Sequence, residues 1–239
     1  MQGGSLRVGC HRRQWRPVKS TGTSSRFARL PMTSFPSTAT VGSEEPAALF
    51  IRDTVQWLER AVIGLNLCPF AKGVHVKGQI HYAVALTGDL ARILEVLRSE
   101  LAALVATPSE ARDTTLLILP HCLHDFLDFN DFLEEAEAVL EDMDLEGTLQ
   151  IASFHPQFQF AGTREDDVTN CTNRSPYPTL HLLREESIAR AVEVFPEAET
   201  IFERNIEILQ ELGMSGWSAL GVGPGAFPPA PPAAKDTER

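Results

Sequence analysis

Residues 114–119, with the sequence TTLLIL, form a short apolar run that Pro120 closes. A run of this kind is typical of a β-strand that is covered on both faces, as strands are in sheets packed between layers of helices. The residues on either side of the run show helical periodicity instead. This one stretch therefore predicts an α/β fold.

The elements around this central strand follow from the spacing of apolar residues. Two further strands are predicted, at 80–86 and 148–154. Helices are predicted over 46–67, from an N-cap at Asp89, from an N-cap at Asp125 through Met143, over 179–194, and over 197–212 with an end at Gly213. The alternation predicts a single α/β domain over 45–220, with a small parallel or mixed sheet of about three or four strands covered by about five helices.

The residues before this domain have a different composition. Seven of the 21 basic residues precede Glu44, which is the first acidic residue, and serine and threonine fill much of the same segment. An Arg-rich, Ser/Thr-rich and acid-free segment without an apolar core is typical of an organelle transit peptide. We expect residues 1–44 to be such a peptide, with the many Ser and Thr favouring the plastid over the mitochondrion. We expect residues 221–239, rich in Pro and Ala, to be disordered.

The charge of the remaining chain limits its partners. Outside the N-terminal segment, 14 basic residues stand against 32 acidic ones, a net charge of −18. Such a domain repels nucleic acid and anionic membranes, so neither is expected as a partner, and any bound anion requires a local group of basic residues. No apolar run is long enough to span a membrane. The four cysteines form no C-x-x-C pair, which argues against a disulfide framework and a cysteine zinc site.

One connection is much longer than the others. About two dozen residues between His155 and Thr179 lack periodicity, yet they include Phe158, Phe160 and Tyr177, which favour burial. Loops of this length within a compact domain are usually functional or disordered. The aromatic residues indicate an ordered, functional loop that leaves the carboxyl end of a strand, where α/β sheets bind ligands.

The candidate site residues lie in this loop and at the start of the helix predicted after it. Arginine side chains bind phosphates and carboxylates in bidentate fashion, and the expected helix N-terminus would add N–H groups. The ligand-binding candidates are Arg164, Asn173, Arg174, Ser175 and Arg184. The acid–base candidates are His155 and His181, with Asp166 and Asp167 as orienting carboxylates. Helical spacing places His181 and Arg184 on the inward face, where Arg184 would meet Asp166, Asp167 or an anionic ligand.

Three alternatives stay open at this stage. The arginines and aspartates of the loop would also form a purely structural salt-bridge network. A metal site from His155, His181 and the two aspartates, with His121 or His124 in reserve, suits zinc, iron or manganese, but no compact ligand motif supports it. Cys68 as a nucleophile is disfavoured because the C-terminus of a helix raises the pKa of a thiol.

Three blocks of the sequence resemble a known family. They are GLNLCPFAK at 64–72, QIASFHPQFQFAGT at 150–163 and DDVTNCTNRSPYPTLHLLRE at 166–185. The blocks are similar to those of the uncharacterised family called domain of unknown function fourteen-fifteen, and the resemblance spans roughly 55–217. In that family an aromatic residue usually stands where this chain has Cys171, which argues against a catalytic role for that cysteine. The resemblance implies no activity.

The sequence alone thus supports two hypotheses from different classes. The first is an organellar enzyme that acts on a small anionic metabolite held by the arginines, with the histidines as acid and base. The second is a non-catalytic ligand-binding or assembly module that uses residues 155–184 as a rigid recognition surface. Neither hypothesis identifies a cofactor or an oligomeric state.

Overall fold

The computed structural model describes residues 44–194 and 200–223, which form a mixed α/β domain. Its sheet has four strands in the order β1-β2-β4-β3. Their bounds are Ile80–Val84 for β1, Thr114–Ile118 for β2, Leu149–Phe154 for β3 and Thr179–Arg184 for β4. The predicted fold class is confirmed. The predicted transit peptide and most of the predicted disordered tail lie outside the described residues.

Helices cover the sheet on both faces. They are α1 at Glu44–Trp57, α2 at Ala71–Val76, α3 at Leu90–Ala106, α4 at Phe126–Asp142, α5 at Glu185–Val194 and α6 at Ile201–Ala219. A π-helical segment, Leu58–Ile63, continues α1, and a 3₁₀ helix spans Val168–Asn173. The side chains of Asp89 and Asp125 accept backbone N–H groups at the starts of α3 and α4, which confirms both predicted N-caps.

All five residues of β2 are buried, as its sequence predicts. On one face of the sheet, Leu117, Leu180 and Leu182 pack with the apolar stripes of α3 and α4. On the other face, Trp57 and the π-helical segment pack with Ile80, Tyr82 and Phe154. The long α6 lies beside the 3₁₀ helix and is interrupted at Gly213, whose φ of 64° breaks the helix where an end was predicted.

The helix predicted over 179–194 is wrong for its first six residues. Thr179–Arg184 forms β4, which pairs antiparallel with both β2 and β3, and α5 begins only at Glu185. Leu180 and Leu182 then face one side of the sheet and His181 the other, as strand geometry requires. The physical reason is long-range pairing: β4 completes the hydrogen bonding of two neighbours, and a helix would leave both edges unpaired.

No helix among the described residues is both long and apolar enough to cross a membrane.

Candidate functional site

The sheet topology places the ends of β1, β2 and β3 at one edge. β1 and β2 are parallel, and β3 and β4 are antiparallel, as are β2 and β4. The carboxyl ends of the first three strands and the entry to β4 therefore share this edge. The loop from His155 to Pro178 lies at this edge, where α/β sheets bind ligands.

Hydrogen bonds within the loop fix its shape. The carboxamide oxygen of Asn170 accepts the backbone N–H of Phe160 at 2.9 Å and the hydroxyl of Thr163 at 2.8 Å, while its nitrogen donates to the carbonyl of Arg164 at 2.8 Å. Asn170 is fully buried. One buried side chain thus ties three points of the loop together, and the prediction of an ordered loop is confirmed.

A cavity of about 540 Å³ lies in the bend of this loop. Its lining residues are Pro156, Gln157, Arg164, Glu165, Asp166 and Arg174. We call it the β3-loop pocket. Its volume is within the range of pockets that hold small molecules. It brings together Arg164, Asp166 and Arg174 of the residues that the sequence singles out.

Arg174 is the best-positioned charge of the β3-loop pocket. Its Nε donates to the carbonyl of Phe158 at 3.2 Å and its Nη2 to the carbonyl of Glu165 at 2.6 Å. Within the described part of the chain, it forms no ion pair with a carboxylate. Two neutral carbonyls therefore orient the guanidinium and leave its positive charge uncompensated at the pocket wall.

The other charged residues of the loop have different surroundings. Arg164 and Asp166 form an ion pair of 2.7 Å on the rim and are 85% and 70% exposed, respectively. Asp167 does not line the pocket; it caps the 3₁₀ helix, where hydrogen bonds from the side chain and the backbone of Thr169 lower its pKa. The pairing of Arg174 and Arg184 with Asp166 and Asp167, which a structural network would require, is not seen among the described residues.

His155 is held by the backbone on both sides of its ring. Its Nε2 lies 2.9 Å from the carbonyl of Leu123 and therefore carries the proton, while Nδ1 accepts the N–H of Gln157 at 3.0 Å. The ring is fully buried and stacks on Phe129. Burial lowers the pKa of His155, with smaller opposing effects from its hydrogen bond and from Asp125. This arrangement fixes the start of the loop and leaves neither nitrogen free for a substrate.

Asn173 and Ser175 are buried in the approach to β4. The amide of Asn173 donates to the carbonyl of Ser153 at 3.4 Å, and the Ser175 hydroxyl donates to the carbonyl of Tyr177 at 2.6 Å. The Tyr177 hydroxyl in turn donates to the fully buried carboxylate of Asp53 on α1 at 2.8 Å. These groups anchor the segment to the rest of the domain, and neither Asn173 nor Ser175 lines the β3-loop pocket.

His181 and Arg184 lie progressively further from this edge. His181 is in the middle of β4, opposite Leu116 and Ala152, with its ring 5.8 Å from that of Phe154. Arg184 pairs with Leu149, at the start of β3. At about 3.3 Å per residue, it lies about 20 Å from His155 along the strand. Helical spacing predicted that His181 and Arg184 lie together on an inward face. Their positions in the antiparallel strand β4 separate them instead.

The partners of the Arg184 guanidinium are backbone carbonyls. Its Nη2 lies between 2.5 and 3.0 Å from the carbonyls of Leu104, Thr107 and Arg112. The first two belong to the C-terminal end of α3. The guanidinium therefore satisfies carbonyls that a helix end leaves without partners, and it meets neither the predicted carboxylates nor the pocket.

Lowering the pH from about 7.5 to about 5 is expected to cost about 2 kcal/mol of stability through His181 alone. Burial lowers its pKa to about 4, whereas an unfolded histidine titrates near 6.5. Because the folded pKa is the lower one, stability is present above about pH 6.5 and is lost as the pH falls toward 4. Urea unfolding at the two pH values measures this loss.

The variant His181→Leu provides the control for this pH dependence. It removes the titrating ring and keeps an apolar side chain on the same face of β4. The difference in stability between the two pH values should shrink by about 2 kcal/mol in the variant. An undiminished difference would show that His181 does not take up the proton.

The described residues give little support to a metal site or to a nucleophilic cysteine. These residues contain no group of three or more His, Cys, Asp or Glu side chains arranged to hold a metal ion. Burial raises the pKa of Cys68, and it raises that of Cys171 to about 11. At neutral pH both are therefore protonated thiols, which are poor nucleophiles.

Two features of the β3-loop pocket escaped the sequence analysis. Glu165 lies between two recognised candidates, yet only the fold shows that its carbonyl orients Arg174 while the residue lines the cavity. Pro156 and Gln157 directly follow His155 and line the pocket in its place. A signal for them was present, since residues that follow the end of a strand line the edge where ligands bind.

Comparison with known proteins gives a family and no activity. The model of a family described as "Protein of unknown function (DUF1415)" matches residues 49–219. This range includes the sheet and every residue of the β3-loop pocket. No curated protein and no solved structure matches the chain.

Proposed function

The chain belongs to the DUF1415 family, to which no activity is attached, and we propose from the geometry of its loop that it binds a small anionic metabolite in the β3-loop pocket. The observation that carries this proposal is Arg174. It is a charge fixed by two carbonyls, without an ion-pair partner in the described ranges, at the wall of a cavity of suitable size.

The physical reason is preorganisation. A guanidinium that is already oriented loses little conformational entropy when it binds a carboxylate or phosphate, and its charge strengthens the hydrogen bonds that form. The strongly acidic surroundings do not attract anions, so a local cation is needed. Arg174 supplies it, and Arg164 on the exposed rim adds a second donor, which already pairs with Asp166.

Binding has more support than acid–base catalysis. Both nitrogens of His155 are hydrogen-bonded to the backbone, and His181 lies on β4 and does not line the pocket. A catalytic histidine needs a nitrogen within reach of the substrate proton. The proposed activity is therefore recognition of a small anion, with the rigid loop as its frame.

Arg174→Gln is expected to weaken the binding of inorganic phosphate or acetate by about tenfold or more, because charge-assisted hydrogen bonds contribute about 1.5–3 kcal/mol. Isothermal titration calorimetry of the full chain provides the measurement. Arg92→Gln is the matched control, since Arg92 is 75% exposed on α3 outside the pocket and its loss should change the affinity less than about twofold.

A second variant keeps this test decisive if Arg174→Gln disturbs the loop. Arg164 is 85% exposed, so Arg164→Gln should fold normally and weaken anion binding by about threefold. Affinities that are equal in the wild type and both variants would overturn the proposal. So would the absence of saturable binding, by the folded wild-type chain, of any small molecule that carries an acidic group.

A further inference from the structure

The walls of the β3-loop pocket carry charges of both signs. Arg164 and Arg174 contribute two cations, and Glu165 and Asp166 contribute two anions. Arg164 and Asp166 neutralise each other through their ion pair on the rim. The described part of the chain gives neither Arg174 nor the carboxylate of Glu165 an ion-pair partner, although both line the same cavity.

The backbone of Glu165 holds the cationic one of these two groups. Nη2 of Arg174 donates to the carbonyl oxygen of Glu165 at 2.6 Å, so the guanidinium is fixed to the residue whose side chain carries the free carboxylate. The carboxylate itself does not join the guanidinium. The pocket therefore presents a cationic group that is already oriented and, on the residue whose carbonyl holds it, an anionic group.

We propose that the ligand of the β3-loop pocket is a small zwitterion, whose acidic group binds Arg174 and whose ammonium group binds Glu165. This inference rests on the proposed anion site and narrows its ligand class. Its basis is two complementary charges on the wall of one cavity of about 540 Å³, neither of which forms an ion pair with another described residue.

Electrostatics favours a zwitterion over a doubly charged anion. Phosphate at Arg174 would share one cavity with the carboxylate of Glu165, and like charges in the same site repel. The whole chain adds a net charge of −11, which lowers the local concentration of anions. A zwitterion has no net charge, so it avoids the long-range repulsion and uses both pocket charges.

Calorimetric titration of the full chain tests this with matched probes. The zwitterions are glycine, β-alanine, 4-aminobutanoate and 6-aminohexanoate, and the anions of equal length are acetate, propanoate, butanoate and hexanoate. We expect at least one amino acid of the series to bind about tenfold more tightly than its alkanoate, since one added charged contact has about that effect. Butylammonium and inorganic phosphate should bind more weakly than that amino acid.

The variant Glu165→Gln tests the contribution of the Glu165 carboxylate independently of that of Arg174. Glu165 is exposed and holds Arg174 through its backbone carbonyl, so the variant should fold and keep Arg174 in place. It should lose the preference for the amino acid and bind the alkanoate at least as tightly as the wild type does. Glu141→Gln, an exposed position on α4 outside the pocket, is the matched control and should keep the preference.

The outcomes distinguish the two proposals. If the alkanoates or phosphate bind as tightly as every amino acid, in an Arg174-dependent way, the zwitterion is overturned and the anion site stands. A preference for the amino acid that survives in Glu165→Gln also overturns the zwitterion. If no probe binds in an Arg174-dependent way, both proposals are overturned.

Discussion

Arg184→Met is expected to lower the free energy of unfolding by about 3–5 kcal/mol. The guanidinium lies within hydrogen-bond distance of the carbonyls of Leu104, Thr107 and Arg112, and methionine replaces its length but donates to none of them. Carbonyls left without a partner in a half-buried site cost about 1–3 kcal/mol each. The favourable interaction of a cation with the C-terminus of α3 is lost as well. Chemical denaturation of the full chain measures the change.

Arg190→Met is the matched control for this substitution. Arg190 lies on α5 and pairs with Glu186, a neighbour one turn away, and both side chains are about half exposed or more. Exposed pairs of this kind contribute little, so the control should lose less than about 0.5 kcal/mol. If both variants have the same stability, Arg184 does not hold the end of α3. Amide hydrogen exchange adds a local test, because protection should fall first at Ala106 and Thr107.

The segment that contains Arg184 shows why its sequence predicts a helix where the structure has β4. The sequence of 179–184, TLHLLR, is compatible with a helical stripe that continues into residues 188–192 and also with a strand that alternates Leu180 and Leu182 with His181. Local periodicity does not separate the two for so short a segment. The deciding interactions are the hydrogen bonds to β2 and β3, whose partners lie 25 or more residues away in the chain.

The central strand and the two N-caps were predictable because their signals are local. The burial of β2 follows from its own apolar side chains, and the starts of α3 and α4 follow from Asp89 and Asp125 next to apolar stripes. The position of the loop at the carboxyl edge followed as well, because β3 runs parallel to β1 and β2. Local chemistry sufficed wherever the contacts were short-range in sequence.

The roles of the site residues depended on contacts that no local pattern shows. His155 looked like an acid–base candidate, but the carbonyl that fixes its Nε2 belongs to Leu123, 32 residues earlier. That carbonyl points to the ring from a residue with a φ of 53°, an uncommon conformation for leucine. Arg174, in contrast, is oriented by carbonyls of its own loop, and for it the sequence-based prediction of a ligand anchor still stands as a proposal.

Gly64, the first residue of the block GLNLCPFAK, is the second position at which a substitution is expected to have a large effect on stability. Gly64→Ala is expected to lower the free energy of unfolding by about 2–3 kcal/mol, through steric overlap alone. A Cβ at this position would lie 2.2 Å from the carbonyl oxygen of Arg60 and 2.9 Å from its carbonyl carbon. The backbone of Gly64 is ordinary helical, with φ −62° and ψ −38°, so alanine is not excluded by its torsion angles.

The π-helical segment explains this overlap. It ends at Ile63, and the backbone then tightens, since the N–H of Gly64 donates to the carbonyl of Ala61. The Arg60 carbonyl cannot move away easily, because it belongs to the π-helical segment, whose Leu58, Ala61 and Val62 are buried. A Cβ would therefore push against a backbone that its packed side chains hold in place.

Gly73→Ala controls for the general effect of replacing glycine in a helix. A Cβ at Gly73, within α2, has nothing within 4 Å, so the substitution should be neutral or stabilising by up to about 1 kcal/mol. The two variants add the same methyl group at positions nine residues apart, and only Gly64→Ala is expected to lower stability. Thermal or urea unfolding that ranks them equally would mean that the backbone around Arg60 relaxes at little cost, and the close approach at Gly64 would then not explain why glycine stands there.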